Sequence, residues 1–199
     1  MTRSFLRGII VGLAGLGVVG QLAAGLLLIV AVLAAVGLHT PLAFVRRNLK
    51  GYELWLAFLV ATLATGGSLF FSEGAHFPPC ELCWYQRFCM YPLSLAMLVV
   101  AAFGARRAAR WLLPLPVVGA GLSAYHLLVE NGLAPQTTDC VLSAPGGCGL
   151  KWINEFGYVT IPTLALTAFA LVFALLLFAV LDPVRLARID ERRVDPRVA

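Results

Sequence analysis

Five cysteines stand in this sequence, and four of them fall into two close pairs, Cys80 with Cys83 and Cys140 with Cys148. Thiols three positions apart can close a small disulfide ring. A helix starting at Pro78-Pro79 puts both in its first turn, because proline at a first helical position sacrifices no hydrogen bond. The positive end of a helix stabilises a thiolate, the reactive form of cysteine. Arg87 falls one turn beyond Cys83 on the same face and adds a cation. The second pair lies in a polar, Gly/Pro-containing loop from Glu130 to about Gly149, a setting that offers access and mobility.

Three chemistries suit such a set: structural disulfides, a four-thiolate zinc site, or a redox relay. Bridging residues already one turn apart stabilises a bundle little. The seven residues between Cys140 and Cys148 exceed the roughly two to four usual between paired zinc ligands. A relay needs only an accessible sulfur and an attacking thiolate in line. It accounts for both environments, and no metal is expected. Cys89 falls on another helix face and reads as a packing thiol.

The elements that position these residues are apolar. Of 199 residues 60% are hydrophobic and 13% charged, and mean hydropathy is +0.88. That excludes an ordinary soluble domain. Apolar runs cover about 9–38, 52–71, 79–103, 111–129 and 159–181, each near or above the ~20 residues that cross a bilayer. The first is too long for a secretory leader and lacks a clear cleavage site. The net charge of +5 comes in small clusters between runs, which reads as a topology signal rather than a nucleic-acid surface. Placing Arg46–Lys50, Arg106–Arg110 and the tail in the cytoplasm turns both cysteine pairs outward, to an oxidising face. It also leaves Arg3 and Arg7 on the outer side. Leu150, Ile153 and Phe156 recur at helical spacing beside Trp152 and Tyr158, predicting a short interfacial helix over Leu150–Phe156.

The stretch Pro79-Cys80-Glu81-Leu82-Cys83-Trp84-Tyr85-Gln86-Arg87 closely resembles the motif of the bacterial DsbB/BdbC disulfide-bond formation proteins. Tyr125-His126, the closely spaced Cys140/Cys148 loop, and Phe156-Gly157 through Ile161-Pro162 are similar to the Gram-positive-type branch. The resemblance covers about residues 52–181. The vitamin K epoxide reductase type carries its loop cysteines before its CxxC, whereas this chain has them after.

The resemblance implies an all-α membrane protein: a four-helix transmembrane bundle with, here, an extra N-terminal transmembrane helix and the interfacial helix. It divides the chain into an extension (1–50), the core (51–181) and a charged cytoplasmic tail (182–199). It implies a thiol:quinone oxidoreductase of the cell membrane, using ubiquinone or menaquinone and a thioredoxin-like, DsbA-type partner. Cys140 would form the mixed disulfide with that partner, Cys148 would pass electrons to Cys80, and Cys83 would be the thiolate facing the quinone. Arg87 would lie next to the quinone; on their own residue types, Trp84 reads as a quinone contact or as part of the aromatic belt, and His126 as a hydrogen-bond donor to a quinone carbonyl or as an interfacial histidine. The alternatives are a vitamin K epoxide reductase-like quinone reductase and a non-catalytic structural subunit with disulfides.

Overall fold

The computed structural model describes residues 3–38, 40–49 and 51–180; the expected charged tail, 182–199, lies outside them. In chain order the helices are α1 (Arg3–Ala35), α2 (Thr40–Leu49), α3 (Glu53–Leu69), α4 (Glu81–Ala102), α5 (Arg106–Ala109), α6 (Pro114–Glu130), α7 (Thr138–Ser143) and α8 (Ile161–Val180). All five apolar runs are therefore helical, as a bilayer requires of backbone that has no water to bond.

Among the described residues, four segments are long and apolar enough to cross a membrane: α1, α3 with the turn that follows it, α5 through α6, and α8. α4 has the length, 22 residues, but Glu81, Gln86 and Arg87 in its first two turns lower its hydropathy. α4 runs unbroken through Pro92.

α3, α4, α6 and α8 close a ring, each packed on the next, and α1 docks on α8. Leu93, Met97, Phe169, Val172, Leu176 and Phe178 fill the interior. Lipid tails are as apolar as these side chains, so association depends on close packing and hydrogen bonds rather than on escape from water. Gly119 serves this: an added Cβ would strike the Phe169 ring across the α6–α8 contact. Arg106 reaches the buried Glu53 carboxylate at 3.2 Å, which puts the start of α3 and the Arg106 cluster at one end of the bundle. The start of α4, with the cysteines, is at the other.

The interfacial helix expected over Leu150–Phe156 does not form. Phe156 (φ 53°) and Gly157 (φ 81°) adopt left-handed backbone, which folds Glu155 back onto Val159. Trp152 stacks on Phe77 with ring centroids 5.1 Å apart, and Ile153 buries against Ile10 and Phe71. The helical spacing marks separate anchors, of which only Ile153 is buried.

Candidate active site

Pro78 and Pro79 precede α4 instead of opening it. Cys80 is the N-cap residue, in extended backbone, and Glu81 is the first helical residue. Cys83 therefore sits in the first turn, among backbone N–H groups that lack intrahelical partners. The two free thiols face each other with sulfurs 2.9 Å apart. Cys140 and Cys148 are joined as a disulfide. Cys89 is a free thiol buried in the bundle interior.

His126, buried in the last turns of α6, links the two pairs. Its Nε2 lies 3.1 Å from the Cys148 carbonyl and 3.7 Å from Cys80 Sγ, and its Nδ1 lies 3.2 Å from the Gln86 amide nitrogen. With the Gln86 NH2 donating to Nδ1, the ring proton belongs on Nε2 and is donated to Cys148. Cys80, just outside the spanning part of α4, has its thiol lowered to about 5; the hydrogen bond from Cys83 contributes most, burial opposes it, and His126 assists. The hydrogen bond from Cys83 thus favours the thiolate at Cys80, with the imidazole that the helix N-cap brings near it as a smaller contribution.

The loop pair is not accessible, contrary to the expectation from its composition. Cys140 and Cys148 are each 1% exposed. Polar side chains fold the loop onto the start of α4. Thr137 Oγ1 accepts from the Cys140 N–H at 3.1 Å and donates to Glu81 Oε2 at 3.0 Å. Ser143 Oγ accepts from the Glu81 N–H at 3.0 Å, and Gln136 Oε1 accepts from the Cys148 N–H at 3.0 Å. Glu81 also accepts from Tyr85 OH at 2.5 Å, so it is a clasp as well as a favourable first-turn residue. A small cavity of about 20 Å³ is bordered by Cys80, Cys83, His126 and Cys148, but not by Cys140.

Cys83 also borders a second, much larger space. An apolar cleft of about 370 Å³ opens between α1, α3, α4 and α8, within the size range of small-molecule sites. Arg87 lines it and is held by Ser68, to whose Oγ and carbonyl it donates from Nε and Nη2, both at 3.0 Å. Ser68 stands where α3 passes into a π-helical turn, Phe70–Gly74, a feature frequent at functional sites. Tyr91, one turn beyond Arg87, borders the cleft as well, and its buried hydroxyl has no partner among the described residues.

Of the four residues expected at a cofactor, Cys83 and Arg87 line this cleft. Trp84 does not: it is half-exposed and lies against Arg87, with Cζ 5.1 Å from the ring centroid. His126 lies on the side of the cysteine loop. Ser68, Gln86, Gln136, Thr137 and Ser143 escaped sequence reasoning. Only Gln86 carried a signal, as a polar side chain between Cys83 and Arg87 at the start of an apolar run.

Cys80 Sγ, Cys83 Sγ and His126 Nε2 fall within 4.8 Å of one another, a donor set that metals use. Two thiolates on one tetrahedral zinc, at ~2.3 Å each, stand roughly 3.7 Å apart. The 2.9 Å between the two sulfurs here is shorter than that spacing.

Comparison with known proteins agrees with this chemistry. The sequence model of the family "Disulfide bond formation protein DsbB" matches residues 52–180. "Disulfide bond formation protein C" of Bacillus subtilis is 43% identical over 124 residues, 60% of this chain and 86% of the relative. A "Probable disulfide formation protein" of Deinococcus radiodurans is 40% identical over 133 residues, 62% of this chain and 86% of that one. One from Coxiella burnetii is 40% identical over 126 residues, 62% and 84% of the two chains. No solved structure matches. The family segment begins at residue 52, so α1 and α2 precede it.

Proposed function

The chain belongs to the DsbB family of disulfide bond formation proteins, membrane oxidoreductases, and from that premise we propose that it oxidises a thioredoxin-like dithiol oxidase and delivers the electrons to a membrane quinone. One observation carries this reading: the Cys80–Cys83 pair has two faces. His126 and the loop disulfide lie on one, and the apolar cleft with Arg87 lies on the other.

The relay begins when a partner thiolate attacks Cys140, breaking the Cys140–Cys148 bond and forming a mixed disulfide. The partner's second thiol resolves it, which leaves the partner oxidised and both loop cysteines reduced. Because Cys140 is buried, the α7 segment lifts from Glu81 to admit the attack. Cys148, which shares the small cavity with Cys80, then attacks Cys80 of the oxidised CxxC, breaking the Cys80–Cys83 bond and releasing Cys83 as the thiolate. Cys140 displaces Cys80, so the loop disulfide re-forms and Cys80 and Cys83 are left as thiols. The acidified Cys80 is a good leaving group in that exchange. His126 holds the Cys148 backbone and the Cys80 sulfur in register throughout.

A bound quinone supplies a two-electron, two-proton acceptor. The cleft fits one: it is mostly apolar, with a cation one turn from Cys83 and an unpartnered hydroxyl one turn beyond that. Arg87, fixed in advance by Ser68, sets positive charge where negative charge grows on an acceptor oxygen. The positive clusters at the opposite end of the bundle support a cytoplasmic-membrane topology with the cysteines outward.

The test is quinone reduction by purified full-length protein supplied with a reduced thioredoxin-like partner. Wild type is expected to turn over with ubiquinone or menaquinone, and Cys83→Ser and Cys140→Ser to stop. Normal exchange between partner and both cysteine pairs without reduction of either quinone would reject the acceptor assigned here.

A further inference from the structure

The helix that precedes the family segment is built into the cleft. α1 contributes Leu13, Leu16, Gly17, Val19, Gly20 and Ala23 to its lining, one face of the helix at spacings of three and four. α1 is anchored on both sides of this stretch. Ile10 packs with Phe71 and Ile153 near the cysteine end, and Leu27, Val30 and Ala34 join the main core. Between Ala14 and Ala24 no α1 residue is fully buried. There the helix bridges the cleft and does not fill it.

Its distance from α8 is set by small residues and one polar clamp. A Cβ at Gly17 would collide with Leu164, and one at Gly20 would press on Thr167. Tyr158 OH donates to Gln21 Oε1 at 2.9 Å, which gives the polar side chain in this apolar helix its partner. The lining residues of α1 span about 15 Å along the helix axis, leading away from Arg87 and Cys83. Leu16 (62% exposed), Val19 (63%) and Leu63 of α3 (52%) border the cleft and remain open at the bundle's lipid-facing side. The opening is lateral, toward hydrocarbon, and Cys83 and Arg87 of α4 line the same cleft.

We propose that α1 forms with α3 a side portal into the cleft and is the wall that holds the apolar tail of the electron acceptor, so that α1 sets the preference for tailed quinones. This rests on the quinone reading of the cleft. A tailless acceptor needs only the Arg87 end, whereas an isoprenoid tail must leave that end along Leu13–Ala23 to reach the bilayer. The redox cysteines are not involved, and the thiol exchanges are independent of α1.

The experiment compares a long-tailed quinone with its tailless head group, using whichever of ubiquinone and menaquinone the wild type reduces. Val19→Trp in the full-length protein narrows the portal. Its KM for the tailed quinone is expected to rise by about ten-fold, the loss of apolar contact worth roughly two methylenes. Its KM for the tailless quinone is expected to change several-fold less than that for the tailed one, and exchange between Cys148 and Cys80, read by thiol alkylation, stays at the wild-type value. Unchanged KM for the tailed quinone, or an equal loss with both quinones, overturns the assignment to α1 while leaving quinone use in place. Absence of reduction of any quinone by wild type overturns the underlying reading instead. A second measurement is independent of folding in the variant: a quinone with a photoreactive group on its tail is expected to label residues 13–23 of the wild-type protein. Labelling confined to α3, α4 or α8 refutes the proposal.

Discussion

The two cysteine pairs share one end of the bundle and differ in what holds them. Cys80 and Cys83 are fixed by secondary structure: an N-cap and a first turn at a set spacing, with sulfurs brought together by the helix itself. Cys140 and Cys148 sit in an irregular loop, and their burial depends on a few side-chain bonds from Gln136, Thr137 and Ser143. The contrast teaches which pair can move. Opening the first requires unwinding a helix anchored in the core, whereas releasing the second requires breaking a few side-chain hydrogen bonds, each worth about 1 kcal/mol, and the local apolar contacts with Leu82 and Val129. A membrane relay needs this asymmetry. One pair must reach a soluble protein, and the other must stay aligned with a site in the bilayer.

The strongest way to break the comparison is to remove the residue through which the pairs communicate. Cys148→Ser is expected to abolish turnover, and when it is mixed with oxidised partner its Cys140 thiolate should open the partner's disulfide and accumulate as a Cys140–partner mixed disulfide on non-reducing gels. If the complex forms instead on Cys80, the roles assigned to the two pairs are reversed. Next in size is Arg87→Ala, with quinone reduction slower by on the order of 10²-fold and the Cys80–Cys83 disulfide still formed by oxidants. Ser68→Ala, which removes one of the two bonds holding Arg87 without removing its charge, should give a smaller loss in the same direction.

Acidity sharpens the contrast further. Alkylation of Cys80 in the reduced protein should be maximal at neutral pH and fall as pH drops through about 5, since its thiolate is then protonated. Cys83→Ala should raise that midpoint furthest, toward the ordinary value of ~8.5, because the Cys83 hydrogen bond is the largest cause of the shift. His126→Gln should raise it less. A midpoint that His126→Gln moves more than Cys83→Ala would contradict the geometry. The smallest effect concerns the clasp. Thr137→Val removes the bond to Glu81 and the cap of α7, and should speed reaction of the loop disulfide with a small thiol reductant by about five-fold, the factor equivalent to ~1 kcal/mol.

Several features of the site were legible beforehand, and the failures share a form. The CxxC at a helix start, the cation one turn on, and the separate loop pair all follow from spacing along one chain. The expected interfacial helix failed because Leu150, Ile153 and Phe156 repeat at helical spacing for unrelated reasons, and a left-handed Phe156-Gly157 turn leaves no room for a helix. Accessibility of the loop cysteines failed because polar loop residues were read as facing water, when their partners are the N-terminus and first side chain of α4.

By itself the sequence determined the five long helices and the position of each cysteine relative to them. A bilayer demands about 20 apolar residues per crossing and full backbone bonding, and both constraints can be counted along one dimension. Tertiary structure alone decided that His126 meets a thiol 46 residues away, that Ser68 on α3 fixes Arg87 on α4, and that α1 borders the cleft. These depend on which helix faces which across a packed interior. Such pairings are set by volume and by the satisfaction of a few buried polar groups, information that no local period of the chain records.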